Sequence, residues 1–192
     1  MVLEAVKNFN WVDIIITLLM VRVFYISIRC GFIPELFKIC GTILSIYVSL
    51  HNYLNLSEFI HSSVSSNSIP VEVIDLFSFL CLTGISYLIF ILLREGFAYI
   101  IRMEAVPKLN RYGGLMIGVA RAIFLSGLVI YILAISTVSY LQNSVYQSYL
   151  GSALIKIAPF TYESLWNGLG SKFFTNEKFN DSTIKIRDNF KQ

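Results

Sequence analysis

Charge is scarce in this chain: 14% of its 192 residues are Asp, Glu, Lys or Arg, whereas 56% are hydrophobic. A soluble domain carries roughly a quarter charged residues, so the shortage excludes an ordinary water-soluble globule and places the chain among membrane proteins. Lys and Arg number 15 against 12 acidic residues and are scattered, which excludes the concentrated basic face that nucleic-acid binding needs. Cysteine is limited to Cys30, Cys40 and Cys81. An odd count without close Cys/His spacing excludes a disulfide framework and a metal site, leaving small buried hydrophobes. His51 and His61 lack a neighbouring Cys or close acidic pair, so they predict no metal centre. Glycine-rich phosphate loops, nucleophile elbows and zinc helix motifs are also missing. The expectation is a protein that is not an enzyme and needs no cofactor. A cleaved leader is not expected either, since Lys7 is the only leading basic residue, Arg22 interrupts the first apolar run, and no small-x-small site follows.

What the chain does have is long apolar runs. Mean hydropathy is +0.68, and a bilayer core of about 30 Å takes about 20 mostly apolar helical residues. The first run is Trp11 to Ile28, with Asn10 as cap, Asp13 as the acidic partner of a capping box, and Trp11 suited to the aromatic belt. Arg29-Cys30-Gly31-Phe32 reads as a reversing turn. Pro34 and Glu35 suit the first turn of a second helix, expected to end near Leu50. His51 to Ile69, rich in Ser and Asn, reads as a loop with at most one short helical turn. Pro70 and Glu72 restart a helix with an apolar stretch Leu76 to Leu93 and an amphipathic continuation to Val106, interrupted by Pro107. Gly113-Gly114 open the next segment, whose cleanest run is Ala122 to Leu141; whether Gly114 to Arg121 lies in the bilayer or on its surface is open.

Beyond it, Val145, Tyr149, Ala153 and Ile157 recur four apart, predicting one amphipathic helix from Val145 to Ala158 lying at the membrane surface or docked on the bundle. Trp166 is expected to anchor a second such piece. The fold class is therefore all-α: an integral membrane protein of about four transmembrane helices and a C-terminal amphipathic helix. The expected division is a membrane module over 1–141, an interfacial segment over 142–170 and a polar, mobile tail over 171–192.

Lys and Arg concentrate at cytoplasmic helix ends. Arg22, Arg29, Lys38, Arg94, Arg102, Lys108, Arg111 and Arg121 fall on one side, and only Lys7 and Lys156 on the other, apart from a distant tail. The first side is predicted cytoplasmic, which puts both chain ends outside. Small residues recur at Gly114, Gly118, Ala122 and Ser126, and at Gly41, Ser45 and Ser49. Such stripes bring helix backbones close in lipid, within one chain or between partners. Of the ionisable residues in or near the membrane (Asp13, Arg22, Glu35, Asp75, Arg94, Glu95, Arg121), most sit near helix ends, where capping, snorkelling and interfacial pairing explain them. Arg22 lies about two turns inside the first run and must snorkel or find a carboxylate such as Glu35 or Glu95.

Asn10-Trp11-Val12-Asp13-Ile14, then Arg29-Cys30-Gly31-Phe32-Ile33-Pro34-Glu35-Leu36, then Leu109-Asn110-Arg111 with Gly114, Gly118 and Arg121, resemble the colicin V production protein (CvpA) family over about Phe9 to Leu141. Asp13, Arg29, Gly31, Phe32, Glu35, Arg111, Gly114, Gly118 and Arg121 are the motif positions. The chain departs from the family pattern at Asn110, where an acidic residue is common, and at Ala122, where a glycine often follows the arginine; a charge pair at position 110 is thereby put in question. The resemblance implies a four-helix bacterial inner-membrane protein linked to production or export of a peptide toxin and to envelope homeostasis, without an established molecular activity. Some relatives carry an outward serine protease domain after the module; about fifty residues beyond Leu141 are too few for one. The function expected is a non-enzymatic accessory protein acting on the lipid bilayer, a membrane-protein partner or a second copy. The alternative is a small oligomeric transporter or channel.

Overall fold

The structure, a computed structural model, describes residues 10–63, 70–100, 107–136, 138–173, 177–183 and 186. Four helices among them are long and apolar enough to cross a membrane: Trp11–Cys30, Phe32–Ser63, Val71–Gly96 and Asn110–Ile135. The chain is a multi-pass membrane protein.

Helix α1 (Trp11–Cys30) starts as its sequence requires. The Asn10 side chain accepts from Val12 N–H, and Asp13 accepts from the Asn10 N–H, satisfying donors that have no partner within the helix. Gly31 alone separates α1 from α2 (Phe32–Ser63). The expectation that α2 stops near Leu50 is corrected: its helix continues another three turns or so, to Ser63. Leu50, Tyr53 and Ser57 are buried along one face, a 3, 4 spacing that gives the extension a packed side. Its polar residues bond locally, Asn52 Nδ2 to Val48 O and Ser62 and Ser63 Oγ to Phe59 O, so Ser and Asn enrichment does not break it. The end of the expected loop, 64–69, lies outside the described residues.

Helix α3 (Val71–Ile100) follows Pro70; the rest of the continuation expected to Val106 lies outside the described residues. Helix α4 (Pro107–Ile135) corrects two expectations. Pro107 opens it rather than interrupting, as a residue without N–H can at the first helical position, and Gly113-Gly114 lie inside it. Its last residue is Ile135 rather than Leu141. There the chain turns, with Val138 N–H donating to Ser136 Oγ and Gln142 Nε2 to Ser136 O. Gly114 to Arg121 fall within the fourth apolar span.

The single helix expected over Val145 to Ala158 is replaced by three pieces: α5 (Ser139–Gln147), α6 (Tyr149–Leu154) and α7 (Ile157–Leu165). Ser148 is extended and caps α6 through Gly151 N–H, which ends the period. Val145 is buried while Tyr149 is 61% exposed, so the stripe is not one face. A π-helical turn (Trp166–Gly170) and a short helix (Ser171–Phe173) follow.

Packing does not follow chain order. α1 lies mainly on α4, while α2 is held between α3 and α4 and touches α1 little. One core gathers Ile46, Leu50, Tyr53, Phe79, Leu128, Tyr131, Ala158 and Tyr162; a second gathers Val12, Ile16, Ile130, Ala134, Val145 and Ile155. The α5–α7 layer thus completes both cores from one end of the bundle. Outward faces of the spans remain apolar, as at Leu18, Leu88 and Leu92.

Candidate functional site

Most of the motif positions converge at the α1–α2 turn. Gly31 has φ 84 and ψ 178, a region essentially limited to glycine. Its N–H donates to Ser27 O. A Cβ there would lie 2.5 Å from Asn110 Oδ1, and that same oxygen accepts the Phe32 N–H at 2.7 Å. Asn110 is therefore a cap for α2 supplied from α4, and the role open at this position is hydrogen bonding. Gly114 faces the Gly31 backbone, where an added Cβ would meet its carbonyl carbon at 2.7 Å; Gly113 faces the Phe32 ring and Gly118 the Ser27 side chain. Gly114 and Gly118 of the expected stripe are thus packing surface between α4 and α1 within one chain. The other small-residue stripe packs against α3, through Gly41 on Phe90 and Ser49 on Thr83.

One turn into α2 stands Glu35, 0% exposed. Its carboxylate meets Lys38 Nζ at 2.6 Å and Arg121 Nη1 at 3.1 Å. One buried carboxylate thus holds two cations, and Arg121 Nε is buried with no hydrogen-bond partner. Burying such charges is tolerable only because they are paired. Arg121, not Arg22, is the interhelical partner of Glu35; Arg22 is exposed on α1. Arg29 lies over the Tyr25 ring at 4.4 Å, a cation–π contact, and Arg111 is exposed.

Asp13 stands at the opposite end of α1, fully buried. Besides its own cap it accepts from Ser148 Oγ at 2.7 Å and from Leu150 N–H at 2.8 Å. Asn10 Nδ2 donates to Ser144 O and Trp11 Nε1 to Ser144 Oγ. The capping box is therefore also the clamp that fastens the α5–α6 layer to the bundle. Trp11, expected at the aromatic belt, stacks on Tyr140 within that clamp.

A third polar cluster, which local sequence does not announce, surrounds His51. Its ring lies between Tyr47 and Trp166, centroids 5.6 and 5.1 Å away; Trp166 is buried here rather than anchoring a separate surface piece. His51 Nε2 meets Glu177 at 2.7 Å and Nδ1 meets the Tyr162 hydroxyl at 2.9 Å. In the tautomer that donates from Nε2 to Glu177, Nδ1 accepts from the Tyr162 hydroxyl. Tyr162 also accepts from Asn180 N–H, and Asn180 Nδ2 donates to Leu50 O. Burial pushes the Tyr162 phenol up to about 12. Within the polar tail expected to be mobile, Glu177, Phe179 and Asn180 are thus strapped over the middle of α2, at Leu50 and His51. Beside it opens a cleft of about 520 Å³ lined by His51, Asn55, Glu177, Lys178, Asn180 and Asp181 among others. The acidic partner that His51 lacks in local sequence arrives from 126 residues away. Phe179 followed by Asn180 and Ser182-Thr183 was the available signal, an aromatic anchor beside a capping sequence. Among the described residues no group of three or more His, Cys, Asp or Glu could hold a metal.

A family model described as Colicin V production protein matches residues 12–159. The chain belongs to that family. Asp13, the α1–α2 turn, the Glu35–Arg121 pair and His51 all lie inside the match, whereas Tyr162, Glu177 and Asn180 of the strap lie beyond it. No significant match was found among curated proteins or among solved structures.

Proposed function

We propose that this family member is a non-enzymatic accessory of the bacterial inner membrane, supporting toxin production and envelope homeostasis through contacts with a membrane protein, a second copy or lipid. The observation that carries this reading is the use of Asp13: its carboxylate takes the Asn10 N–H, the Ser148 hydroxyl and the Leu150 N–H together, so a fully buried acid is occupied in joining elements. Glu35 and Arg121 are likewise occupied with each other across α2 and α4. A protein whose buried charges fix its shape is suited to present surfaces. The Lys and Arg asymmetry favours the α1–α2 turn on the cytoplasmic side and both chain ends outside.

Photocrosslinking from exposed positions such as Leu88 and Met116 in native membranes tests the reading. A discrete crosslinked protein or lipid that is lost together with toxin export when Asp13 is changed is the expected result; turnover of a substrate by the purified protein would overturn it. The transporter reading draws on Ser45, Ser78, Ser126 and Tyr131, buried hydroxyls of α2, α3 and α4 with no hydrogen-bond partner, which are sites that water could serve. Solute or proton flux in liposomes that disappears in Glu35→Gln would favour it over the accessory role.

A further inference from the structure

We propose that the groove between α2 and α3 at the level of Lys38 and Arg94 binds the phosphodiester headgroup of an anionic phospholipid. The register is set by Gly41 against Phe90 and by Ser49 Oγ bonded to Thr83 Oγ1 at 2.8 Å. Continued one turn, that antiparallel pairing brings Lys38 level with Arg94, and both line a crevice with Phe37, Tyr87, Phe90 and Ile91.

Charge there is unbalanced. Glu35 is one carboxylate shared by Lys38 and Arg121. The acidic neighbour of Arg94 is Glu95, 3.6 Å away with a side chain 64% exposed, a pair worth little in an exposed setting. Among the described residues, Lys38, Arg94 and Arg121 therefore stand against Glu35 and Glu95, three cations to two carboxylates. A donor also remains at the crevice, since Glu35 and Cys30 Sγ take two of the three Lys38 ammonium hydrogens. A phosphodiester brings one negative charge and acceptor oxygens to this surplus.

The shape of the site selects the source of that phosphate. The crevice has a volume of about 10 Å³, room for roughly one water-sized group, so a soluble metabolite would not fit within it. The walls beyond the two cations are Phe37, Tyr87, Phe90 and Ile91, and the neighbouring Leu88 and Leu92 are exposed on the outward face of α3. A lipid fits both features, with one headgroup oxygen in the crevice and an acyl chain along the aromatic and aliphatic wall. Basic pockets between transmembrane helices are a recurring headgroup site. Headgroup binding stands on this groove and does not rest on the accessory role.

The test is thermal unfolding of the purified full chain in neutral detergent, titrated separately with phosphatidylglycerol, phosphatidylethanolamine and inorganic phosphate. Phosphatidylglycerol is expected to raise the unfolding temperature saturably, and the other two are not. Arg94→Gln should weaken the phosphatidylglycerol midpoint about fivefold, the worth of one interfacial cation. Lys38→Gln should weaken it at least as much. Arg29→Gln removes a cation at the same end but outside the groove, and should leave the midpoint unchanged. Lys38→Gln also loosens Glu35, so Arg94→Gln is the deciding variant if the former does not fold. Equal stabilisation by phosphatidylethanolamine, reproduction of the effect by inorganic phosphate, or equal weakening by Arg29→Gln and Arg94→Gln would each overturn the proposal.

Discussion

Gly31 is asked to do two things that an alanine cannot do together. It holds φ 84, ψ 178 and leaves space for the Asn110 side chain that caps Phe32. Gly31→Ala should therefore cost at least about 1–3 kcal/mol from backbone strain alone, read as a lower unfolding temperature in detergent. Gly31→Ala combined with Asn110→Ala should recover little, because the strain stays and the Phe32 N–H loses its acceptor. Asp13 makes a similar point about bonding. Asp13→Asn keeps one acceptor oxygen but turns an amide towards the Asn10 N–H, and should cost about 1–3 kcal/mol. Asp13→Ala should cost more and should expose Ser139–Leu154 to protease before the spans. The Asn10–Asp13 box was legible because its partners are three residues apart; Ser148, 135 residues from Asp13, leaves no local trace. Tyr162 offers a pH test. Its folded value, pushed up to about 12 by burial from an ordinary 10.0, lies above the unfolded one, so its contribution is full below pH 10 and is lost as pH rises towards 12. Proteolysis after Phe173 should rise in that window, whereas Tyr162→Phe, which lacks the titrating hydroxyl, should show no such pH step and a strap already looser at neutral pH, because the Asn180 N–H has lost its acceptor.

At the level of elements, what the sequence showed well were apolar runs and their starts, and what it hid were the ends. Pro107 reads equally as a helix breaker and as a first helical residue; contact of Gly113 and Gly114 with Phe32 and Gly31 decides for the second. Ser and Asn after His51 suggested a loop, yet Leu50, Tyr53 and Ser57 have a tertiary surface to meet, and tertiary burial outweighs weak local propensity. The α5–α7 layer failed in the opposite sense, because the capping power of Ser148 prevailed over an apolar period. The α1–α4 ridge supplies an element-scale prediction. Gly118→Leu should lower stability more than Leu115→Ala, since bulk at Gly118 must displace Ser27 and push the α1 and α4 backbones apart, whereas the truncation leaves a void at a half-buried site. Equal unfolding temperatures for the two variants would show that the ridge contributes no close packing.

Over the whole molecule the family and the helix count were legible from motif order and hydropathy, whereas packing partners were not, because they join segments far apart in the chain. Orientation is still a prediction from the basic residues. Single cysteines at Ser62, Arg111 and Lys172, in a background lacking Cys30, Cys40 and Cys81, should be labelled by an impermeant thiol reagent in intact cells at 62 and 172 and protected at 111. Labelling at 111 alone would invert the orientation. The packing of α1 also has a consequence for how the protein is made. α1 leaves the ribosome before α4, on which it rests, and of the three donors to its Asp13 only the Asn10 N–H is local, while Ser148 Oγ and Leu150 N–H come from the layer after α4. Glu35, by contrast, has Lys38 three residues on and can wait, already paired, for Arg121. During synthesis the first helix must therefore stand in the membrane beside α2, tethered by one glycine, until the last span and the layer after it have been translated. A nascent chain stalled with Ser136 just outside the ribosome should hold α1 inserted yet open to insertase or chaperone contact at Asp13, and that contact should cease once Leu150 has emerged.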